Sequence, residues 1–498
     1  MRYKEGTSRE QISFMALEDM VEAESMARII DRFVEVCDLN QLGFQRTTPA
    51  ATGRPAYPPS AMVKLYIYGY ENGIRSSRKL EKEARRNVEV MWLMEGLRPD
   101  YKTIAEFRRE NIRPLQKLFH KFVKLCQAWE LIGGELIVVD GTKIKASNNK
   151  KSNYSRKKLE ERLKRLDDKI KQYLEEAEAV DSQEEEVSVS PARIKELLSR
   201  KELYENYLQQ IEENVENEIS TVDPDARLMG NNRGGVDVAY NVQSAVDGKH
   251  DLIIDYHVSL NPSDQGQLSL MVKQVQKRMK IKRFTVLADK GYYNGADLEK
   301  VKRYRVRAIV ARQKASNPKA QASQFHSQNF CYDKKSDTYS CPMQQILSPH
   351  NKKEAGRRNY FNKIACKQCP SQDNCCCKGK RGYRTITRSQ YSAIYEETDQ
   401  RYKANSELYQ RRQQIVEHPF GSVKHHLNGG YFLLRTRRKV RAEVALLFLG
   451  YNLKRVFNIL KFQELMARLE AIATCSRRVL ADFQFATRIS AFSAWATI

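Results

Sequence analysis

Two aspartates close apolar runs of the kind that form buried strands. Asp140 follows Glu135-Leu-Ile-Val-Val and precedes Gly141, and Asp289 follows Phe284-Thr-Val-Leu-Ala and stands two residues before Gly291. Consecutive β-branched and aliphatic residues predict central strands of an α/β sheet, and ligands bind such sheets at their strand ends. The two carboxylates are therefore expected side by side, although Asp before Gly is also ordinary turn chemistry. A third acid, Glu417, stands among cations in the helical stretch from Arg411 to Lys424, where the plainer reading is an ion pair with Arg411 or Arg412. Three hard oxygen donors on adjacent elements would hold Mg²⁺ or Mn²⁺ and leave positions open for water and phosphate. A pair of such ions can activate a water or a 3′-hydroxyl and stabilise the leaving oxygen of a phosphodiester displacement.

The elements that must position these acids can be read along the chain. Apolar residues at three-and-four spacing predict short helices from Asp19 to about Leu125, including one opened by Pro58 and Pro59 that runs through Tyr70. Ser76 and Ser77 cap the next helix, through Arg86, and Thr103 with Glu106 forms a capping-box signature for a helix over Ile104 to Asn111. A strand ends at Asp140. The Lys/Glu-rich stretch from Ser155 to Val215, restarted at Ser190-Pro191, predicts an antiparallel helical hairpin. Strands over Val236 to Ala245 and Leu252 to Val258 flank the Asp247-Gly248 turn. A helix over Gln267 to Lys280, strands ending at Asp289 and over Arg307 to Ala311, and helices over Ser406 to Val416 and Val440 to Leu460 complete a mixed α/β chain.

Three motifs resemble the acidic motifs of bacterial insertion-sequence DDE transposases: Asp140-Gly-Thr, Ala288-Asp289-Lys-Gly-Tyr292 and Val416-Glu417-His-x-Phe420-Gly-x-x-Lys424. The helical block containing Tyr70-Glu-Asn-Gly-Ile-Arg-Ser-Ser-Arg-Lys-Leu80 is similar to the N-terminal domain of the same proteins. The resemblance implies a ribonuclease H-like catalytic core over 131–465, with a helical-hairpin insertion at 150–220 and a Cys-rich insertion at 325–385. It also implies a helical DNA-binding domain over 1–130 and leaves a C-terminal tail over 466–498. It makes Asp140, Asp289 and Glu417 the catalytic, Mg²⁺- or Mn²⁺-binding triad and Lys424 a phosphate-contacting lysine. Arg412 and Tyr409 stand near the family's Arg and Tyr positions, which by the resemblance makes them DNA-binding residues that grip the transposon-end phosphates, but the residue four before the glutamate is Gln413, where the family places arginine. The implied activity is metal-dependent DNA cleavage and strand transfer by a dimer or higher oligomer assembled on terminal inverted repeats and target DNA. The alternatives are a catalytically silent DNA-binding derivative and a nuclease without strand transfer.

Charge and cysteine usage agree with a polyanion partner. Lys and Arg total 86 against 61 Asp and Glu, a net charge of +25, and so large a basic excess favours nucleic acid. Arg437 and Arg438 lie in a second basic run flanked by Tyr431 and Phe432, near the third acid in sequence, and are assigned to the DNA path. The longest apolar stretches fall far short of the ~20 residues that cross a bilayer, so the expectation is a cytoplasmic, nucleoid-associated protein without membrane contact. Of 10 cysteines most fall between Cys331 and Cys377. Cys366 and Cys369 form a C-x₂-C pair; with Cys341 and Cys375 they are candidate ligands of a structural Zn²⁺, the plainer alternative being reduced cysteines in a loop.

Overall fold

The computed structural model describes residues 10, 14–49, 52, 55–181, 191–213, 218–231, 234–313, 324–350, 356–376 and 382–495, with side chains described for all but 176–181, 191 and 475–495. Ser190, expected to cap the second hairpin helix, and Cys377 lie outside the described residues.

The N-terminal block is helical: α1 Met26–Glu35, α2 Leu39–Leu42, α3 Pro59–Glu71, α4 Ser77–Arg86, α5 Val88–Leu93, α6 Tyr101–Glu110 and α7 Ile112–Ala128. Pro59 at the first turn of α3 loses no hydrogen bond it would otherwise have made. Helix α6 begins before the Thr103 box that marked it in the sequence, because the carboxylate of Asp100 accepts from Thr103 N at 2.8 Å and so caps the helix. These helices do not build a core of their own. Ile30, Phe33, Tyr66, Leu118 and Phe122 belong to the same buried cluster as the sheet and the last helix.

The sheet begins with β1 Leu136–Lys145. After it come a two-stranded ribbon, β2 Asn153–Ser155 with β3 Glu218–Ser220, and between them the hairpin helices α8 Arg156–Asp181 and α9 Pro191–Glu213. Tyr154 packs on Tyr204 and Tyr207 at the hairpin's base, and Arg162 Nη1 donates to Tyr204 Oη at 3.0 Å. Strands β4 Arg227–Gly230, β5 Val236–Asp247 and β6 Ile253–Ser259 follow, then α10 Leu268–Met279, β7 Thr285–Ala288, α11 Gly295–Arg303 and β8 Arg307–Val310. Both β4 and β6 pair with one edge of β5, and β1 pairs antiparallel with its other edge. Across the sheet the order is β6, β5, β1, β7, β8, with β7 and β8 parallel to β1.

The Cys-rich insertion carries its own five-stranded sheet, β9 Cys331–Asp333, β10 Thr338–Ser340, β11 Ile346–Pro349, β12 Arg357–Phe361 and β13 Ile386–Ser389, with two short helices, α12 Lys363–Lys367 and α13 Gln372–Cys375. It has a separate small core of Phe325, Phe330, Tyr339, Leu347, Tyr360, Cys375 and Ile386. Helices α14 Ser392–Ala404 and α15 Ser406–Gly421 return the chain to the main sheet, and a π-helical turn, Ser422–His426, follows. The last helix, α16 Arg437–Trp495, breaks at Lys461, whose φ of 61° is not helical, and packs on α1, α3 and α7. It extends beyond 465, and Leu469 is buried on the main core, so the described start of the segment expected as a tail is helical and packed.

One sequence expectation is corrected here. Asp140 does not end its strand, and Gly141 is not a turn residue. β1 continues to Lys145, with Asp140 opposite Ser244 and Gly141 opposite Gln243 on β5. Glycine stands at 141 because a Cβ there would lie 2.4 Å from Gln243 Nε2 and 2.5 Å from Asp264 Oδ1.

Candidate active site

Parallel pairing of β1 with β7 brings the two aspartates together. Val139 lies beside Ala288, and the next residue on each chain is the acid. Helix α15 lies across β1, β5 and β7, and from it Arg412 reaches the acids: its Nη1 is 3.8 Å from Asp140 Oδ2 and its Nη2 3.8 Å from Asp289 Oδ1. Tyr409, nearly one turn earlier, donates its hydroxyl to Ala288 O at 3.2 Å and stacks near the Arg412 guanidinium. Tyr409 thus bonds the end of β7, and Arg412 stands over the two acids.

Lys424, in the π-helical turn, is close enough to Asp140 for the carboxylate to oppose the burial that lowers the lysine's pKa. Glu417 is exposed on α15 and accepts from Gln413 Nε2 at 2.6 Å, so the residue at the family's arginine position holds the candidate glutamate. Among the described residues no three His, Cys, Asp or Glu side chains are grouped to hold a metal ion. The structure therefore pairs Asp140 with Asp289 and places Glu417 on the overlying helix, apart from them.

Burial pushes the Asp140 carboxyl up to about 6, against the opposing pull of Arg412 and the Gly141 amide, while the charges of Asp289 and Asp264 add to the rise. A carboxylate so placed holds its proton more readily until a cation is supplied.

Asp264 was not singled out in the sequence. It lies in the loop between β6 and α10, after Asn261-Pro-Ser and without a strand-like run before it. Its Oδ1 accepts from Asn241 Nδ2 and Gln243 Nε2, both at 2.8 Å, and Gln243 in turn accepts from the Tyr292 hydroxyl. No residue next to it in sequence signals these contacts; the one trace is distant, the glycine at 141 where a Cβ would meet its carboxylate.

In the insertion, Cys341, Cys366, Cys369, Cys375 and Cys376 line one small apolar cavity. Burial pushes the Cys375 thiol up to about 12, and the neighbouring Cys376 and Cys366 add to the effect. Beside the main core, Arg437, Arg438 and Arg441 line an open cleft with Arg113 and Gln116. Arg437 is fixed there by its own amide, which donates to Asp225 Oδ2 at 2.7 Å.

Two family models match the chain: "Transposase domain (DUF772)" over residues 15–110 and "Transposase DDE domain" over residues 225–453. Together they take in well over half of its length, and the chain belongs to the insertion-sequence DDE transposases. No curated protein matches it. Among solved structures, a cryo-EM structure of the piggyBac transposase synaptic complex with hairpin DNA is similar over 90% of this chain and 77% of that one, at 8% identity and a TM-score of 0.31. That likeness is too slight to carry an argument about the fold. Among the described residues no helix is long and apolar enough to cross a membrane.

Proposed function

We propose that this transposase binds the terminal inverted repeats of its own element, cleaves a phosphodiester with water and joins the freed 3′-OH to target DNA. The observation that carries the reading is the pairing of Asp140 with Asp289 on adjacent parallel strands beneath a helix that bears Glu417. The strand order β6, β5, β1, β7, β8, antiparallel for the first three and parallel thereafter, supports a ribonuclease H-like core.

The donor set fits a hard divalent cation. Asp140 and Asp289 present carboxylate oxygens on neighbouring strands, and the guanidinium between them stands at 3.8 Å, outside hydrogen-bond range. As placed, Asp140 and Asp289 would hold Mg²⁺ or Mn²⁺, and Glu417, apart from them on the overlying helix, is the third ligand by its resemblance to the family's motif. Bound there, the ion would supply Lewis acidity and an activated water. Tyr409 braces the end of β7, Arg412 neutralises the acid pair in the metal-free protein, and Lys424 stands beside Asp140 to receive a phosphate oxygen. The arginines of the cleft at 437, 438 and 441 provide sequence-independent attraction for the DNA backbone.

The remaining assignments belong to the same reading. The helices of 1–130 contribute to DNA binding, 131–465 forms the catalytic unit, and the protein acts at the nucleoid as a dimer or higher oligomer at synapsis. In the insertion, Cys341, Cys366, Cys369 and Cys375 line one cavity and are the soft donors that a structural Zn²⁺ would draw together, no three of them being already grouped for it. DNA carrying the element's ends, incubated with the protein, Mg²⁺ and a target plasmid, tests the function: cleavage with joined product is expected. Cleavage without joining would favour the plain nuclease, and end binding without cleavage the silent derivative.

A further inference from the structure

A second carboxylate system lies beside the two aspartates. Asp264 sits between the two chain segments that carry them. A Cβ on residue 141, next to Asp140, would meet its Oδ1 at 2.5 Å, and a Cβ on residue 291, two past Asp289, would lie 3.4 Å from its Oδ2. Its Oδ1 is held by two amide donors, Asn241 and Gln243, whose own residues are fully buried. Among the described residues it has no ion-pair partner within 4.0 Å. Its charge acts on Asp140, being one of the influences that raise that carboxyl's pKa, and on Tyr292.

A partly buried carboxylate held by neutral amides, with no adjacent cation to offset it, projects its negative charge onto its neighbours. Gly141 leaves room for it where a side chain would displace it, and Gly291 lies in ordinary contact with its other oxygen.

We propose that Asp264 is a positioning residue of the metal centre: fixed between Gly141 and Gly291, its carboxylate supplies the negative field that draws a divalent cation to Asp140 and Asp289. This rests on the reading of those two residues as metal ligands. Asp264 acts through them and through the amide network of Asn241, Gln243 and Tyr292, and it need not touch the ion. The role is that of an outer partner that raises the affinity of the ligands it adjoins.

The discriminating variant is Asp264→Asn, because its side-chain oxygen still accepts from Asn241 and Gln243 while the charge is gone. Mn²⁺ binding to the full-length protein without DNA, followed by the loss of the free-ion electron paramagnetic resonance signal, is the readout. Wild type, Asp264→Asn and Asp140→Asn are compared at pH 8. The proposal expects Mn²⁺ affinity to fall about tenfold in Asp264→Asn, the lower end of the effect of outer-sphere partners, with the unfolding midpoint in chelator unchanged. Wild-type Mn²⁺ affinity in Asp264→Asn, together with its loss in Asp140→Asn, overturns the proposal and leaves the metal centre standing. Mn²⁺ binding that is absent from wild type, or indifferent to Asp140→Asn, overturns the metal centre and the proposal with it. Asp264→Ser, which leaves Gly141 uncrowded, carries the same measurement if the asparagine variant does not fold.

Discussion

Replacing Asp140 with asparagine should make the metal-free protein more stable at pH 8 while destroying its activity. The reason is the position of the carboxyl, which burial raises from 3.8 to about 6 despite Arg412 at 3.8 Å. A group whose folded pKa is raised gives up stability as pH rises, since the native state binds the proton more tightly than the unfolded chain. The penalty begins near pH 4, grows through pH 6 and is complete above it. Two pKa units correspond to about 3 kcal/mol, and because the side chain is 24% exposed, water screens part of this, leaving about 1–3 kcal/mol. Asparagine carries no charge and escapes the penalty. Urea unfolding in chelator should therefore show Asp140→Asn more stable than wild type at pH 8 by that amount, with about half of the gain remaining at pH 5. Added Mn²⁺ should reverse the order by stabilising wild type alone. A variant less stable than wild type in chelator at pH 8, or a gain that does not shrink at pH 5, would refute the reasoning.

Three further outcomes follow from packing. Gly141→Ala puts a methyl group 2.4 Å from Gln243 Nε2; it should cost about 1–3 kcal/mol by urea unfolding and lower cleavage by moving Asp140, and a fully active, equally stable variant would show that the glycine is dispensable. Arg75→Met leaves Glu443, wholly buried and paired with Arg75 at 3.0 Å, without its cation, at about 3–5 kcal/mol. Arg75→Met with Glu443→Leu should recover most of that, and a double variant no more stable than the single one would count against the pair. Protein purified without chelator should carry about one zinc per chain, and Cys366→Ser should release it and expose 325–385 to protease while the main core stays folded; zinc-free wild type would leave the thiols unliganded.

Elements with a strong local pattern were legible in the sequence. The apolar run ending at Asp289, the helix opened by Pro59 and the hairpin helices all show periodicity or caps that act over a few residues. Asp140 was legible as an acid on a central strand, but its place within that strand was not. Gly141 has the local character of a turn, and what keeps it extended is pairing with Gln243 on a strand far away in sequence. Asp264 was illegible for the same reason: its partners Asn241 and Gln243 come from a strand that precedes it, and nothing next to it in sequence marks the contact. Tyr409 was read as a DNA contact, and only the tertiary structure shows its hydroxyl on Ala288 O. The continuous core joining the N-terminal helices to α16 was equally hidden, since an amphipathic stripe does not name the surface that covers it.

The central claim is that Asp140, Asp289 and Glu417 act together as the acids of a metal-dependent DNA cleavage site. Single-turnover cleavage of DNA carrying the element's end, measured with Mg²⁺ for wild type, Asp140→Asn, Asp289→Asn and Glu417→Gln alongside end-binding affinity, tests it most directly. The account expects cleavage to fall by at least about a thousandfold in each variant, about 4 kcal/mol of barrier, while affinity for the end stays within a few-fold of wild type. A Glu417→Gln protein that cleaves at the wild-type rate, or full wild-type cleavage in chelator, would contradict it.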